Sequence, residues 1–424
     1  MKKIPEGWGF KKLKHIIRKK ITDGPHESPE FIDDGVPFLS VDSIQDGKLI
    51  FENCRFISKD AHIRYKKKCH PEKDDILMGK AASIGKIAIV DVDFDFSVWS
   101  PLALLKPNKN MVEPKFMEYT LKSDYSQDQI NIFSTLNTQQ NISMDDIKNL
   151  SIVLPSKPEQ CSIIKLLNQK TTKIDELIKK NETLIELLKE KRQAIISHAV
   201  TKGLDQNAKM KDSGVEWLGK VPEGWEVRRL RYISKSVKTG ATPPSENLEY
   251  YDEGNIDWYT PGDFGERLEL MSSSKKITAL AIKNRVARIF EKGTILLVGI
   301  GATLGKIALM HKQASLNQQI NAIVLEERFI PKFYAYYLNS VKDIIISLSN
   351  AATLGIINQE RTKQIICLVP PKEEQIAIAN YLDQKTARID ETIQKIQSQN
   401  EKLKEYRQAL ISNVVTGKVR VDEN

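Results

Sequence analysis

The stretch IPEGWGFKKLKHI at residues 4–16 determines how the chain is organised, because the chain contains it twice. It returns as VPEGWEVRRLRYI at residues 221–233, an offset of 217 residues. Three further pairs keep the same order: SIGKIAIV at 83–90 with TLGKIALM at 303–310, PSKPEQ at 155–160 with PPKEEQ at 370–375, and KRQAIIS at 191–197 with YRQALIS at 406–412. Near-constant offsets indicate two copies of one unit and exclude a solenoid, whose period is a few tens of residues.

Each copy has two parts of different character. The first part mixes short apolar runs with turn residues, a pattern typical of short strands with a few helices. The second part begins after Pro158 and again after Pro371, and it has about 40 residues without Gly or Pro. Such a stretch can form a helix about 60 Å long. We predict a mixed α/β (α+β) fold with two mixed α/β domains at 1–157 and 204–371 and long helices at 158–203 and 372–424.

Both predicted long helices carry an apolar seam spaced alternately four and three residues. In the first helix it runs through Ile163, Leu167, Lys170, Ile174, Leu177, Asn181, Leu184, Leu188, Lys191, Ile195 and His198, and residues of the second helix repeat it from Ile378 to Asn413. A seam of this period requires a partner helix, and the duplicate is the nearest one. We therefore expect an intramolecular antiparallel coiled coil; a generic helix bundle is the alternative.

Composition narrows the classes of function. The chain of 424 residues has a formal net charge of +9, which suits a polyanionic partner such as DNA but also an inert basic surface. The N-terminus lacks the apolar segment of a signal peptide, and the longest apolar run, residues 295–302, is too short to cross a bilayer. We expect a cytoplasmic protein with no membrane partner.

The cysteine pattern argues against disulfides and metal. The four cysteines, Cys54, Cys69, Cys161 and Cys367, form no Cys-x-x-Cys pair. Neither a disulfide framework nor a zinc ribbon is indicated, so we predict no structural metal.

Two glycine loops, residues 79–85 and 299–305, resemble phosphate loops superficially. Five residues separate the outer glycines, where a Walker A loop has four, and isoleucine follows each lysine, where Ser or Thr is required. In the second loop, Gly305 is also one place late to complete a dinucleotide fingerprint with Gly299 and Gly301. We expect tight turns between strands, with Lys80, Lys86 and Lys306 as candidates for contacts with DNA phosphates.

Other polar side chains are candidates for DNA contact. Amide side chains can bond bidentately to adenine, which makes Gln139, Gln140, Asn317 and Gln318 candidates. The basic run at Lys66, Lys67 and Lys68 is a further candidate for phosphate contact. Backbone bonding within loops and a solvated charged face remain open alternatives for these residues.

We find no catalytic signature. The Pro-Pro pairs at 243–244 and 370–371 lack the flanking residues of an adenine methyltransferase motif, and no nuclease or zinc-hydrolase motif occurs. The six histidines are dispersed along the chain. We therefore predict that the chain has no active site and is not an enzyme by itself.

Taken together, the repeated Pro-Glu-Gly-Trp opening, the Gly-Lys-Ile-Ala element and the closing Glu-Gln helix resemble the specificity subunits of Type I restriction-modification systems. The resemblance implies two target-recognition domains that read the halves of a split, asymmetric DNA site, with the helices setting the spacing. It also implies two methyltransferase subunits and restriction/translocase subunits as partners. S-adenosylmethionine, ATP and Mg²⁺ are expected on those partners and no cofactor on this chain.

One departure from the repeat and two rival interpretations remain. SVWSP at 97–101 stands where the second copy has SLNQQ at 315–319, so Asn317 and Gln318 have no obvious equivalents in the first copy. A stand-alone double DNA-binding module without enzymatic partners would share every motif named above. An ATP-using enzyme built on the glycine loops is the rival from a different class.

Overall fold

The computed structural model describes residues 4–134, 141–349 and 355–421. It divides into two compact units: unit 1 consists of Met1–Glu182 with Ile396–Asn424, and unit 2 of Thr183–Lys395. Each unit therefore contains one end of each long helix. Among the described residues, no helix combines the length and the apolar character that a membrane crossing requires.

Unit 1 begins with short strands and four short helices among the described residues. The strands are β1 Gly9–Lys12, β2 Thr22–Asp23, β3 Val36–Leu39, β4 Ile44–Gln45, β5 Lys48–Leu49, β6 Arg55–Ile57, β7 Ile76–Gly79, β8 Ile87–Ile89, β9 Ser97–Val98, β10 Leu102–Leu105 and β11 Ser151–Leu154. The helices are α1 Lys59–Lys66, α2 Pro114–Lys122, α3 Asp124–Phe133 and α4 Met144–Asn149. The first long helix, α5 Lys157–Lys202, follows and continues into unit 2.

Unit 2 repeats this order of elements. Its strands are β12 Met210–Asp212, β13 Lys220–Pro222, β14 Glu226–Arg229, β15 Ser234–Thr239, β16 Ile256–Tyr259, β17 Glu269–Leu270, β18 Lys276–Ile277, β19 Ile289–Phe290, β20 Ile295–Val298, β21 Ile307–Met310, β22 Ala314–Leu316, β23 Ile320–Leu325 and β24 Ile366–Val369. Its helices are α6 Ala279–Lys283, α7 Pro331–Ser340, α8 Lys342–Ser347 and α9 Gln359–Gln364, and the second long helix is α10 Lys372–Val415.

The sheets of the two units share one topology. The order β2-β10-β7-β8 in unit 1 matches β15-β23-β20-β21 in unit 2, and the latter gains β17 at its edge. The parallel pair β3·β9 likewise matches β16·β22, and the antiparallel pair β1·β11 matches β14·β24. The predicted duplication and the mixed α/β fold class are confirmed, because both copies fold on the same frame.

The repeated Glu-Gln element fastens each long helix to its own unit. Gln160 accepts a hydrogen bond from the backbone N–H of Glu113 at 2.8 Å and donates to the carbonyl of Pro155 at 3.0 Å. Gln375 accepts from the N–H of Ile330 at 3.0 Å and donates to the carbonyl of Pro370 at 2.8 Å. Both glutamines are buried, so these bonds satisfy backbone groups that water cannot reach.

The long helices pack against each other in antiparallel orientation. In unit 1, Asp175 of α5 accepts from the guanidinium of Arg407 of α10 at 2.8 Å, and Asn181 meets Asn400 at 2.7 Å. Residue numbers therefore rise along α5 as they fall along α10. In unit 2, Arg192 donates to Asp390 at 2.9 Å. The predicted antiparallel pairing is confirmed.

The positions that form the seam differ from the prediction. The structure buries or half-buries Ile163, Leu167, Thr171, Ile174, Ile178, Asn181, Ile185, Leu188, Arg192, Ile196 and Ala199. Leu177 and Leu184, predicted inside, are 39% and 44% exposed. The eleven buried or half-buried positions span 36 residues in ten steps, which is the 3.6-residue period of a regular α-helix. The eleven predicted positions span 35 residues in ten steps, the 3.5-residue period of a heptad repeat. The heptad spacing was wrong because one residue of drift accumulates along each helix.

Candidate nucleic-acid interface

Each glycine loop is a turn between two antiparallel strands, as the sequence predicts. In unit 1 it joins β7 to β8: the N–H of Gly79 donates to the carbonyl of Lys86 at 2.8 Å. In unit 2 the N–H of Val298 donates to the carbonyl of Lys306 at 2.9 Å, between β20 and β21. A strand follows each loop, whereas a phosphate loop leads into a helix whose N-terminus holds the phosphates. The geometry therefore argues against the nucleotide-binding interpretation.

The turns themselves depend on glycine. Gly85 has a φ of 78° and Gly305 a φ of 81°, a left-handed conformation that residues with a β-carbon rarely adopt. The last glycine of each loop is therefore required by the backbone conformation. The lysine that follows, Lys86 or Lys306, is placed on the same turn in both units.

A second segment lies beside the glycine loop in each unit. In unit 1, Ala81 forms a β-bridge with Asn141, and the N–H of Ile142 donates to the carbonyl of Lys80 at 2.9 Å. In unit 2, Ile300 forms a bridge with Ile356. The candidates Gln139 and Gln140 lie outside the described residues, directly before Asn141. The structure thus brings the end of the amide-rich run of unit 1 to the glycine loop.

Two of the candidate lysines converge on one buried carboxylate, Asp23. Lys68 donates to its Oδ1 at 2.6 Å, and Nζ of Lys80 lies 3.2 Å from its Oδ2. Burial alone would raise the pKa of Asp23, but the hydrogen bonds and charges of the two lysines outweigh it and lower that pKa. Asp23 thereby holds together the lysine that follows α1 and the lysine that follows β7. Sequence reasoning missed Asp23, the last residue of strand β2, because the local sequence does not show that its carboxylate is buried.

The other lysines of the basic run differ in their surroundings. Lys66 forms an ion pair with Asp95 at 2.7 Å, whereas the side chain of Lys67 is exposed to solvent. The hydrogen bonds from Lys66 and then from His70 lower the pKa of Asp95 to about 2. Lys67 is therefore the member of this run that is best placed to meet a phosphate without breaking an internal contact.

In unit 2 the candidates gather around the second glycine loop. The N–H of Gly299 donates to the carbonyl of Gln319 at 2.7 Å, which places the loop of Asn317 and Gln318 against residues 299–305. The amide of Asn317 is buried. Its Nδ2 donates to Oε1 of Gln319 at 3.1 Å, and its Oδ1 accepts from the backbone N–H of Gln319 at 2.9 Å. The side chain of Gln318 is exposed, so it is the amide of this loop that can reach a base edge.

Lys306 and Asn321 complete this region of unit 2. Lys306 is exposed and donates to the carbonyl of Phe264 at 3.0 Å. Asn321 is buried and donates to the carbonyl of Ile357 at 2.7 Å, which fastens the segment beside the glycine loop to strand β23. No sequence motif pointed to Asn321, because a single asparagine in an apolar strand carries no local signal.

We call these two regions the loop clusters: residues 79–86 with Asp23 and Lys68 in unit 1, and residues 299–306 with 317–319 in unit 2. Lysines at a turn can neutralise phosphates, and neighbouring amides can bond to base edges. Among the described residues, no group of three or more His, Cys, Asp or Glu side chains is arranged to hold a metal ion.

Comparison with known proteins decides the family. The sequence model of the Type I restriction modification DNA specificity domain matches residues 5–187 and again residues 222–402. The chain belongs to the Type I restriction modification DNA specificity domain family. The resemblance read from the repeated motifs is confirmed, and the specificity domain occurs once in each copy of the duplication.

Individual members of the family are similar over nearly the whole chain. The putative type I restriction enzyme MjaX specificity subunit of Methanocaldococcus jannaschii is 26% identical over 430 residues, which cover 99% of this chain and 95% of that protein. A chain from a structural study of complex assembly and conformational transition of the type I R-M system superimposes with a TM-score of 0.76 at 17% identity, covering 99% and 100% of the two chains.

The HsdS subunit from Thermoanaerobacter tengcongensis superimposes with a TM-score of 0.54, also at 17% identity, over 98% of each chain. At these identities the two solved structures support the fold of this chain.

Proposed function

We propose that this chain reads DNA sequence for a Type I restriction-modification complex, with each unit binding one half of an asymmetric bipartite target. The observation that carries the proposal is that the two units share one sheet topology but have loop clusters of different composition. The main sheet, the parallel pair and the opening antiparallel pair repeat, whereas the polar residues at the glycine loop differ: Asp23 and Lys68 in unit 1, and Asn317 and Gln318 in unit 2. Two domains that share a fold but differ in their candidate contact residues suit a DNA target whose two halves differ in sequence.

In this proposal the lysines and amides have separate roles. Lys66, Lys67, Lys68, Lys80, Lys86 and Lys306 would contact phosphates, and Gln139, Gln140, Asn317 and Gln318 would contact base edges. Phosphate contacts fix the position of a protein on the duplex, and base contacts carry the specificity. Of the described residues in this set, Lys67, Lys68, Lys306 and Gln318 are exposed, and Lys68 is held by its ion pair with Asp23.

We infer that chemistry is supplied by partners. Two methyltransferase subunits and restriction/translocase subunits would assemble on this chain and would carry S-adenosylmethionine, ATP and Mg²⁺. This chain would contribute binding and positioning, without a catalytic residue of its own. The name of the MjaX protein as a specificity subunit supports that division of labour.

The decisive experiment is to express the chain with the methyltransferase encoded beside it and to map methylated adenines across the host genome. We expect a split motif with two unlike halves. Replacing residues 17–150 with the equivalent segment of another family member should change one half of that motif and leave the other half intact. Methylation without a shared motif would contradict the proposal.

A stand-alone double DNA-binding module is the second function that these loop clusters would serve. The two proposals differ in what the purified chain does with and without methyltransferase. A stand-alone module would bind its split site with the same affinity in both cases. A subunit that reads DNA for a complex should bind more tightly when the methyltransferase is present, as gel-shift titrations of the same duplex would show.

A further inference from the structure

The buried faces of α5 and α10 are nearly identical in sequence. Both helices lie wholly within the described residues, and the α10 positions that correspond to the α5 face named above are likewise buried or half-buried: Ile378, Leu382, Thr386, Ile389, Ile393, Ile396, Asn400, Leu403, Arg407, Ile411 and Val414. Each follows its α5 equivalent by 215 residues. The residue types agree at every position except three: Ala199 matches Val414, and the pairs Asn181/Ile396 and Ile185/Asn400 exchange asparagine for isoleucine.

This near-identity creates a problem of partner choice. Because the helices are antiparallel and almost the same, α5 of one chain could pair with α5 of a second chain, and α10 with α10. Such exchange would join two chains through the same apolar contacts that hold one chain together. Discrimination must come from positions where the two faces differ.

The ion pairs do not discriminate. Arg407 binds Asp175, and Arg192 binds Asp390, so each pair joins one aspartate and one arginine at equivalent places on the helices. In an α5·α5 pair with the same register, Asp175 of one chain would meet Arg192 of the other. The charged contacts would therefore survive the exchange.

The two asparagines do discriminate. Asn181 donates from Nδ2 to Oδ1 of Asn400 at 2.7 Å, and the side chains are among the buried polar groups of unit 1. In the same register, an α5·α5 pair would place Asn181 against Ile185 of the second chain, twice. An α10·α10 pair would place Asn400 against Ile396, again twice. A buried amide without a hydrogen-bond partner loses its solvation and gains nothing in return.

We propose that the Asn181–Asn400 contact is a pairing code that restricts α5 to α10 of its own chain and rejects the equivalent helix of a second copy. Correct pairing joins the two amides by a hydrogen bond, whereas exchange between two chains leaves four amides opposite isoleucine. This inference is independent of the proposed function, since it concerns which helices associate and not what the loop clusters bind.

The test follows chain exchange in the full-length protein. Isotopically light and heavy chains are mixed, unfolded in guanidinium chloride, refolded together and analysed by native mass spectrometry. For the wild type we expect few mixed dimers. The variant Asn181→Ile/Asn400→Ile makes every pairing apolar, and we expect its fraction of mixed dimers to rise about tenfold or more. Lysine cross-linking of the heavy–light dimers should then report α5·α5 contacts.

A rescue variant and a matched control make the test specific. Adding Ile185→Asn and Ile396→Asn to the double variant moves the amide pair to positions 185 and 396, which face each other in the same register. Exchange should then return to within about twofold of the wild type. Asp175→Asn/Asp390→Asn removes both ion pairs symmetrically and should leave exchange at the wild-type level.

Three results would overturn the proposal. The first is mixed-dimer formation by the wild type equal to that of the double variant, and the second is failure of the moved pair to suppress exchange. The third is loss of the helical circular-dichroism signal in the double variant, which would make the amide contact a requirement for folding and not for the choice of partner.

Discussion

The indole N–H of Trp225 donates to the carboxylate of Glu374 at 2.8 Å, and this bond ties the Pro-Glu-Gly-Trp opening of the second copy to the first turn of α10. Trp8 repeats the contact with Glu159 at 2.9 Å in the first copy. The opening and the Glu-Gln element are 149 residues apart in the second copy and 151 residues apart in the first, yet they contact each other in both copies. The bond explains why the opening and the Glu-Gln element recur as a set.

Replacing Glu374 with alanine should destabilise unit 2. Trp225 is buried, so its indole N–H would lose its partner without gaining water, at a cost of about 1–3 kcal/mol in the free energy of unfolding. Guanidinium denaturation followed by tryptophan fluorescence measures this change. The matched control is Glu373→Ala, at the exposed neighbouring position, for which we expect a change within about 0.5 kcal/mol. Equal stabilities of the two variants would argue against the contact.

The sequence predicted the frame of this protein far better than its contact surface. The duplication, the long helices and the turns at Gly85 and Gly305 could be read because each leaves a repeated or periodic signal. Asp23 and Asn321 could not, because a buried polar residue is defined by neighbours that lie far away in sequence. The seam shows the same limit: exposed leucines such as Leu177 fit a heptad as well as Ile178 does, and only packing decides between them.

Lys67 offers a clean test of phosphate contact, because its side chain is exposed and Lys67→Ala should leave the fold unchanged. If the proposed function is right, this variant should bind all duplexes more weakly, and the slope of log affinity against log salt should fall by about one. Titrations between 50 and 200 mM salt on specific and unrelated duplexes would measure it. Lys173→Ala, exposed on α5, is the matched control and should keep the wild-type slope.

Lys80 should behave differently from Lys67, because it is one of two lysines that neutralise buried Asp23. Lys80→Ala should weaken DNA binding and also destabilise unit 1 by about 1–3 kcal/mol, since Asp23 would keep a single lysine. Thermal denaturation separates the two effects: Lys67→Ala should melt like the wild type and Lys80→Ala at a lower temperature. Identical melting of both variants would contradict the role given to Asp23.

The same carboxylate predicts a dependence of stability on pH. The pKa of Asp23 is lower in the folded chain than its ordinary value of 3.8, so its charged form stabilises the fold. That contribution is complete above pH 3.8 and is lost as the pH falls through the lower folded pKa. Asp23→Asn should therefore be less stable than the wild type at pH 7, and the difference should shrink as the pH is lowered below 3.8.

Chemical denaturation at pH 7, 5, 4 and 3 would measure this difference, with Asp91→Asn at an exposed position as the control. A difference between wild type and Asp23→Asn that stays constant over this range would show that the charge of Asp23 does not contribute to stability.

The last prediction concerns the long helices as the element that sets the spacing between the two halves of the proposed target. Deleting residues 174–180 removes one heptad from α5, which shortens the helix by about 10 Å and rotates the following face by about 20°. Residues after the deletion must then meet α10 in a new register. We expect methylation at the original spacing to be lost or moved, while the bases of each half stay the same.

Genome-wide mapping of methylated adenines in cells that express the deleted chain with its methyltransferase measures this outcome. The control is Glu176→Ala/Lys180→Ala, which changes exposed residues in the same heptad without altering helix length and should leave the motif as it is. An unchanged spacing after the deletion would mean that the helices hold the chain together but do not measure the target, because a shortened helix cannot leave a distance that it sets unaltered.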